Sequence, residues 1–570
     1  MKKFLSSHIR LLLTLVTGLA VFLFWRFRYP FVLAYQEQFQ LFLFDDDYLM
    51  SRLAEPGGVA RYVAEFLVQF YNSFTIGAAI LAVLMIVVQR LSWRVMCIRG
   101  EKNNMKYWYG LSFLPVFVLW YTMGDESVLL TYVVALIMAL VAVIGWTRLE
   151  RCSSVLKWVL LIISVPVLYW MIGPLVLLVA LCMMPLPMAI VAVVYALAVL
   201  LASAWVLPYP LQRLVLGIGY YRFPQTMPYL LMTLPLLVVA LFYGSRYLRK
   251  PRQWVVYAQL AACVALLFVP LELGFDSKKY ELIEYDCLVR VNNWQGIIAK
   301  AEKKTPDLPM SVSATNLALA MTNQLGERAF DFYQRGNEGL LPKFERNFAT
   351  TQLTGEIYFH LGLINTAQRF AFEAMEAIPN YNKSGRVLKR LAETNLINGQ
   401  YEVARKYLNL LQKTIFYRPW AKRTMAMLGN EKAIDGHPLY GTLRQFRLKE
   451  DILFSEKEID KICGQLFMTN HQNQMAAQYL LMTPLLDIDI PKFMQYAQYV
   501  QSQIRYNPRS CQEAIAFAFM QQRQQPPQGL VSPFILQQMN DFTRIYSMDK
   551  NSPELGRFRN TVWYYLTVGK

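Results

Sequence analysis

The sequence predicts an all-α protein in two parts: a polytopic transmembrane bundle of about nine spans, followed by a soluble domain of α-helical repeats. Three observations predict it. Apolar residues make up 55% of the 570-residue chain. Up to about Leu273 they form long unbroken runs, and beyond it they recur periodically among charges. Basic residues gather in four short stretches between the runs. The downstream half repeats an amphipathic helical pattern at a spacing of about thirty residues. The boundaries that follow are 1–273 for the membrane part and 274–570 for the soluble part.

The N-terminus, MKKFLSSHIRLLLTLVTGLAVFLFW, has the charges and apolar stretch of a signal sequence. The RFRYPF that follows offers no small-residue cleavage site, so an uncleaved first span is expected. Apolar runs long enough to cross the ~30 Å hydrocarbon layer begin near Leu11, Phe66, Tyr107, Ser127, Trp158, Pro187, Thr226 and Trp254. Basic stretches fix their direction. Lys2, Lys3 and Arg10 precede the first run. Arg90, Arg94, Arg99, Lys102 and Lys106 fill one connection. Arg148, Arg151 and Lys157 fill a second, and Arg246, Arg249, Lys250 and Arg252 a third. By the positive-inside rule all four stretches are cytoplasmic. The last two then lie on one side, so an even number of spans must separate them, yet only three runs are evident there. The run from Trp158 to Met184 supplies the missing crossing if it breaks at Gly173-Pro174. Nine spans result, with the N-terminus inside and everything after Leu273 outside, which in a Gram-negative inner membrane is the periplasm.

The first external loop, 28–64, is the longest connection of the membrane half. AYQEQFQLFLF (34–44) reads as an element along the interface. DYLMSRLAEPGG reads as a short helix with Asp47 as N-cap and Gly57-Gly58 as its exit. Two readings fit Asp45, Asp46 and Asp47: a polar helix start favoured by the helix dipole, or, with Glu37, a catalytic carboxylate cluster. In the helix after Gly58, Arg61, Glu65, Gln69 and Asn72 recur at spacings of four, four and three, so they share one stripe. Polar groups at that depth should face a watery cavity or other helices rather than lipid. Arg213 and Arg222, in the loop 207–228, are either interface anchors or bidentate ligands for a lipid-linked phosphate, a role open to Arg61 as well.

The soluble half reads as paired helices. LINTAQRFAFEAM (363–375) and LINGQYEVARKYL (396–408) align at an offset of thirty-three and place Ala371 against Ala404. NNWQGIIAKAEK (292–303) and LALAMTNQLGERAFDFY (317–333) look like degenerate copies. The period resembles that of tetratricopeptide (TPR) repeats, most clearly over 281–420, and such arrays bind peptides or partner proteins on a concave face. Lys and Arg outnumber Asp and Glu by 21 to 11 up to Leu273 and by 36 to 28 after it. The external domain is therefore mildly basic, suited to lying near an anionic bilayer.

The seven cysteines form no CxxC. Of the four histidines only His471 comes near a cysteine, Cys463, so a Cys/His zinc site is not expected and no metal ligands are assigned. The basic residues cluster at membrane edges, not in a groove-shaped patch, which argues against nucleic-acid binding.

A polytopic bundle with a long acidic first external loop and an external C-terminal domain resembles the GT-C class of membrane glycosyltransferases. That resemblance implies a polyprenyl-phosphate-linked sugar donor. One of Glu37, Asp45, Asp46 or Asp47 would serve as general base or hold a divalent cation, and Arg61, Arg213 and Arg222 would bind the lipid phosphate. EQFQLFLF…PGG with a repeat-bearing tail resembles an uncharacterised bacterial family of large membrane proteins that implies no activity. The alternative function is a non-enzymatic envelope scaffold, anchored in membrane lipid, whose repeats recruit a protein partner.

Overall fold

The computed structural model describes residues 7–149, 153–222, 228–345, 347–379, 382–448 and 458–569. Lys2, Lys3, Arg151 and Thr226, used above to count and orient the spans, lie outside these. Among the described residues the secondary structure is helical, with only two isolated β-bridges, Val128–Tyr221 and Arg335–Asn337. The chain forms two compact units. The first runs to Tyr280 and also takes in Ile378–Gly385 and Leu410–Arg418. The second comprises Glu281–Ala377, Arg386–Asn409 and Pro419–Lys570. The division therefore falls seven residues beyond the expected 273, and two short downstream segments belong to the first unit.

Among the described residues of the first unit, seven helices are long and apolar enough to cross a membrane: Arg10–Arg28, Phe74–Arg99, Leu130–Arg148, Ser154–Leu181, Leu186–Val206, Tyr229–Tyr247 and Gln253–Leu273. Contacts at their ends show how the chain threads them. One end is marked by Arg99, which donates to Met184 Sδ at 3.7 Å and lies 4.7 Å from the centre of the Tyr243 ring. Trp108 is also near an end of this kind, with Nε1 donating to the carbonyl of Arg249 at 2.8 Å. The other end is marked by Gly124, whose carbonyl accepts from Tyr29 Oη at 2.9 Å, and by Ile172, whose carbonyl accepts from Tyr220 Oη. Between these ends run two shorter stretches besides the seven. Lys106–Phe113, a 3-10 segment, continues into Leu114–Thr122. The fourth long helix breaks at Gly173-Pro174 into Ser154–Ile172 and Val176–Leu181. Ile172 meets Tyr220 at one end while Leu181 and Met184 meet Tyr243 at the other, so the piece after the break returns. Among the described residues the chain thus passes between the two ends nine times.

The return depends on glycine. Gly173 has φ +63° and Gly57 φ +80°, a left-handed region that L-residues with a Cβ enter only at a cost. The N–H of Gly57 donates to the carbonyls of Tyr169 and Trp170 at 3.2 and 2.9 Å; the Tyr169 carbonyl also accepts from the Gly173 N–H, but that of Trp170 has no intrahelical donor, because the residue four positions on is Pro174. A Cβ on Gly58 would lie 1.9 Å from the carbonyl oxygen of Arg52.

Two helices of the first loop differ from expectation. α1 (Asp46–Leu53) has Asp45, not Asp47, at its N-cap position, and the Asp45 carboxylate makes no bond to the helix. The helix after Gly58 is not one long rod. α2 (Gly58–Val68) gives way to a 3-10 turn at Gln69–Asn72 and an extended Ser73 before α3 (Phe74–Arg99) begins. The turn changes the helical pitch, so Asn72 leaves the stripe begun by Arg61 and Glu65.

In the second unit, paired helices share one device. The first helix of a pair ends on a residue with positive φ: Asn292, Asn323, Gly362, Gly399, Ile488 and Arg523. In each case the next N–H bonds back five residues, as Leu363 does to Tyr358 and Gln400 to Asn395 at 2.9 and 2.8 Å. Between α4 (Phe348–Leu361), α5 (Ile364–Glu376), α6 (Gly385–Ile397) and α7 (Tyr401–Gln412) these closures give a repeat of 37 residues, Gly362 to Gly399. The offset of thirty-three is a misregister, for it sets the start of α5 against the end of α6. In the observed register Ala367, Ala371 and Ala374 match Ala404, Leu408 and Leu411, and all six are buried. The same device recurs beyond residue 420, where Ile488 precedes the buried Phe493 by five positions, as Gly362 precedes Ala367.

Candidate functional site

The polar stripe of α2 sits in a buried knot of charge. Arg61 is 2% exposed, and each of its three nitrogens has an acceptor. Nε donates to Glu65 Oε1 at 2.9 Å, Nη1 to Glu55 Oε2 at 2.5 Å and Nη2 to Asn382 Oδ1 at 2.5 Å. Glu65, 1% exposed, also accepts from Arg52 Nε at 2.7 Å and from the Tyr48 hydroxyl. Arg52 lies over the Tyr48 ring at 4.5 Å and reaches Asn382 Oδ1 at 3.3 Å. Tyr209 Oη donates to Glu55 Oε1 at 2.6 Å. Burial alone would raise the pKa of Glu65, but Arg61 and Arg52 hold it below the usual carboxylate range, so it stays ionised. Two guanidinium groups meet two carboxylates, so the knot is electrically balanced.

These groups come together because α2 carries Arg61 and Glu65 one turn apart, while α1 carries Tyr48 and Arg52 one turn apart. Sequence spacing could not supply Asn382, which lies 321 positions from Arg61 but within the same unit.

The other expected site residues lie apart. Asp46 and Asp47 are exposed. Asp45 pairs with Lys413 at 2.8 Å, next to the bond from the Phe44 N–H to the Lys413 carbonyl. Glu37 is buried, with Tyr417 Oη at 3.5 Å from its Oε1. Gln69 donates to the carbonyl of Phe66, and Asn72 is exposed. Arg213 is half-buried on the short helix Leu211–Leu216. Arg222 is buried, stacks 4.1 and 4.8 Å over Phe39 and Tyr35, and donates to the carbonyl of Glu126. Among the described residues Glu37 lies near Tyr417, Asp45 pairs with Lys413 and Asp46 and Asp47 face solvent, while Arg61 bonds Glu55, Glu65 and Asn382 and Arg222 bonds the carbonyl of Glu126.

A cavity of about 590 Å³ opens at the Gly124 end of the bundle. Its polar lining includes Asp125, Glu126, Asp276 and Lys279, and its apolar wall includes Leu230, Leu273 and Phe275. Asp125 Oδ1 accepts from the N–H and hydroxyl of Ser127, and Asp276 Oδ1 from the N–H groups of Lys278 and Lys279. Lys279 pairs with Glu126 at 3.2 Å, which pushes the lysine pKa up. Attention to the first loop alone passes over these acids. The signal was available: nine spans place the loops 123–129 and 274–280 at the same end as residues 28–64. Among the described residues no group of three or more His, Cys, Asp and Glu is arranged to hold a metal ion.

No curated protein and no solved structure matches the chain. A family model described as a family of unknown function, DUF6057, matches residues 6–569. Nearly the whole chain is covered, both helical units included, and the protein belongs to the DUF6057 family.

Proposed function

We propose that this protein is a bacterial inner-membrane scaffold that holds a TPR-like unit on the periplasmic side, where its paired helices bind a polypeptide partner. The basic residues support this sidedness, since Arg94, Arg99, Lys106, Arg249 and Lys250 gather at the end of the bundle opposite the first loop. One observation carries the non-enzymatic reading. Asp45, Arg52, Glu55 and Arg61 of the first loop are engaged with one another or with Ile378–Gly385 and Leu410–Arg418, as Arg61 is with Asn382 and Asp45 with Lys413, whereas Asp46 and Asp47 are exposed. Groups held this way build structure; they are not poised to exchange protons or grip a phosphate.

The test places a photo-crosslinking residue at Phe372, Val403 or Met468, each an exposed apolar position on the paired helices, in full-length protein in its native membrane. The expected result is one polypeptide, identified by mass, crosslinked from at least two positions and still crosslinked in the Asp45→Asn, Asp46→Asn, Asp47→Asn variant. No adduct at any position would overturn the reading.

The cavity favours a second reading, a GT-C-like transferase. An acceptor hydroxyl would lose its proton to Asp125, Glu126 or Asp276 while its oxygen bonds the anomeric carbon. The bond from that carbon to the polyprenyl phosphate would break, with Lys279 balancing the departing charge. Loss of an envelope glycan in the Asp125→Asn, Glu126→Gln, Asp276→Asn variant, at unchanged protein level, is the outcome this reading requires.

A further inference from the structure

We propose that the Arg99 end of the bundle carries a binding site for anionic phospholipid headgroups, built where the loop after Tyr229–Gly244 meets the 3-10 segment Lys106–Phe113. Trp108 Nε1 donates to the carbonyl of Arg249 at 2.8 Å and so fixes the loop backbone against that segment. Around this bond stand Lys106, Arg246, Arg249, Lys250 and Arg252, all exposed. Between Arg246 and Leu271 the sequence has no acidic residue, and no described carboxylate pairs with any of the five cations. A topological signal needs only charge in a loop. This loop also has a pinned backbone and two exposed rings beside the cations, Tyr247 at 78% and Trp254 at 63%, the residues that favour the headgroup level.

Hydrocarbon complements the charge. The helix Gln253–Leu273 follows directly, and Pro270 is its one buried residue. Its face therefore remains open to acyl chains below the cations. Phosphate diesters suit the arrangement because they are anionic at neutral pH and each surface cation adds to the attraction. A zwitterionic headgroup would bring its own ammonium into a site that already holds five positive charges.

The experiment uses full-length protein in phosphatidylcholine nanodiscs, with and without a fraction of cardiolipin, and reads thermal stability and co-purified lipid. Wild type should be stabilised by cardiolipin and enrich it, with enrichment falling as salt rises. The Arg246→Gln, Arg249→Gln, Lys250→Gln, Arg252→Gln variant should melt like wild type in pure phosphatidylcholine and enrich cardiolipin at least about ten-fold less. The Arg246→Lys, Arg249→Lys, Arg252→Lys variant should keep most of the enrichment. Equal enrichment in wild type and the glutamine variant would overturn the proposal, as would equal loss in the glutamine and lysine variants. Neither result bears on the partner of the paired helices.

Discussion

Glu65 is the acceptor on which the first-loop knot turns, and its replacement separates structure from chemistry at single-residue resolution. Glu65→Gln would leave Arg61 and Arg52 beside a neutral amide inside the bundle. Removing one partner of a buried ion pair typically costs about 3–5 kcal/mol, because the remaining charge is left desolvated. We expect the variant to melt far below wild type in detergent. Asn382→Ala removes one acceptor shared by two arginines and should cost about 1–3 kcal/mol. Asp46→Asn and Asp47→Asn, both at exposed sites, should shift stability by no more than about 0.5 kcal/mol. An equally large loss at Asp46 or Asp47 would contradict the solvated placement of these carboxylates. The spacing of Arg61 and Glu65 made their shared stripe legible in the sequence. Their partner was not, because Asn382 reaches them only through tertiary structure.

At the scale of elements, the closures of the paired helices say more than their side-chain identities. Gly399 has φ +78° and open space around the place of a Cβ, so Gly399→Ala should cost about 1–2 kcal/mol through backbone conformation alone. Asn, which tolerates the left-handed region, should cost less. Gly362 differs, since its added Cβ would come within 2.8 Å of Phe446 Cβ, and neither residue should be tolerated there. The pairs were legible from amphipathic periodicity. Their register was not: Leu-Ile-Asn occurs on both sides of a closure, and a three-residue match outweighed the positions of Gly362 and Gly399. Polar contacts between pairs are also buried. Arg386 bonds Asp286 at 2.8 Å and Arg390 bonds Glu356 at 2.5 Å. Burial would raise the Glu356 pKa, but Arg390 and Arg386 bring it down to about 2. Burial brings His360 down to about 4, so its 3.8 Å approach to Glu356 is no ion pair at neutral pH. Both folded pKa values lie below the unfolded ones. Each group therefore binds a proton more readily when unfolded, and stability falls as pH falls, through His360 between about 6.5 and 4 and through Glu356 between about 4.5 and 2. Each contributes up to about 1.4 kcal/mol per pH unit within its window. Denaturation of wild type and His360→Gln at pH 7, 5.5 and 4.5 should show the slope above pH 5 chiefly in wild type.

For the whole molecule, the count of passes and the placement of cations are two statements about one topology, and they can be tested together. Parity required the run after Trp158 to turn back at Gly173-Pro174, and Met184 does return to the Arg99 end. Hydropathy alone finds seven long helices, because a six-residue piece such as Val176–Leu181 is too short to register by length. Loop charge carried the information that length did not. The same charge asymmetry predicts that Asp46 and Lys250 face opposite compartments, and both are exposed. In a background lacking the native cysteines, Asp46→Cys should react with a membrane-impermeant maleimide in spheroplasts, and Lys250→Cys only after the membrane is opened. Labelling of both before opening would mean that the odd count of passes between them has been lost, and would remove the turn at Gly173 from the membrane topology. The reverse pattern would keep nine passes but put the first loop, the cavity and the paired helices on the cytosolic side, where no periplasmic partner could reach them.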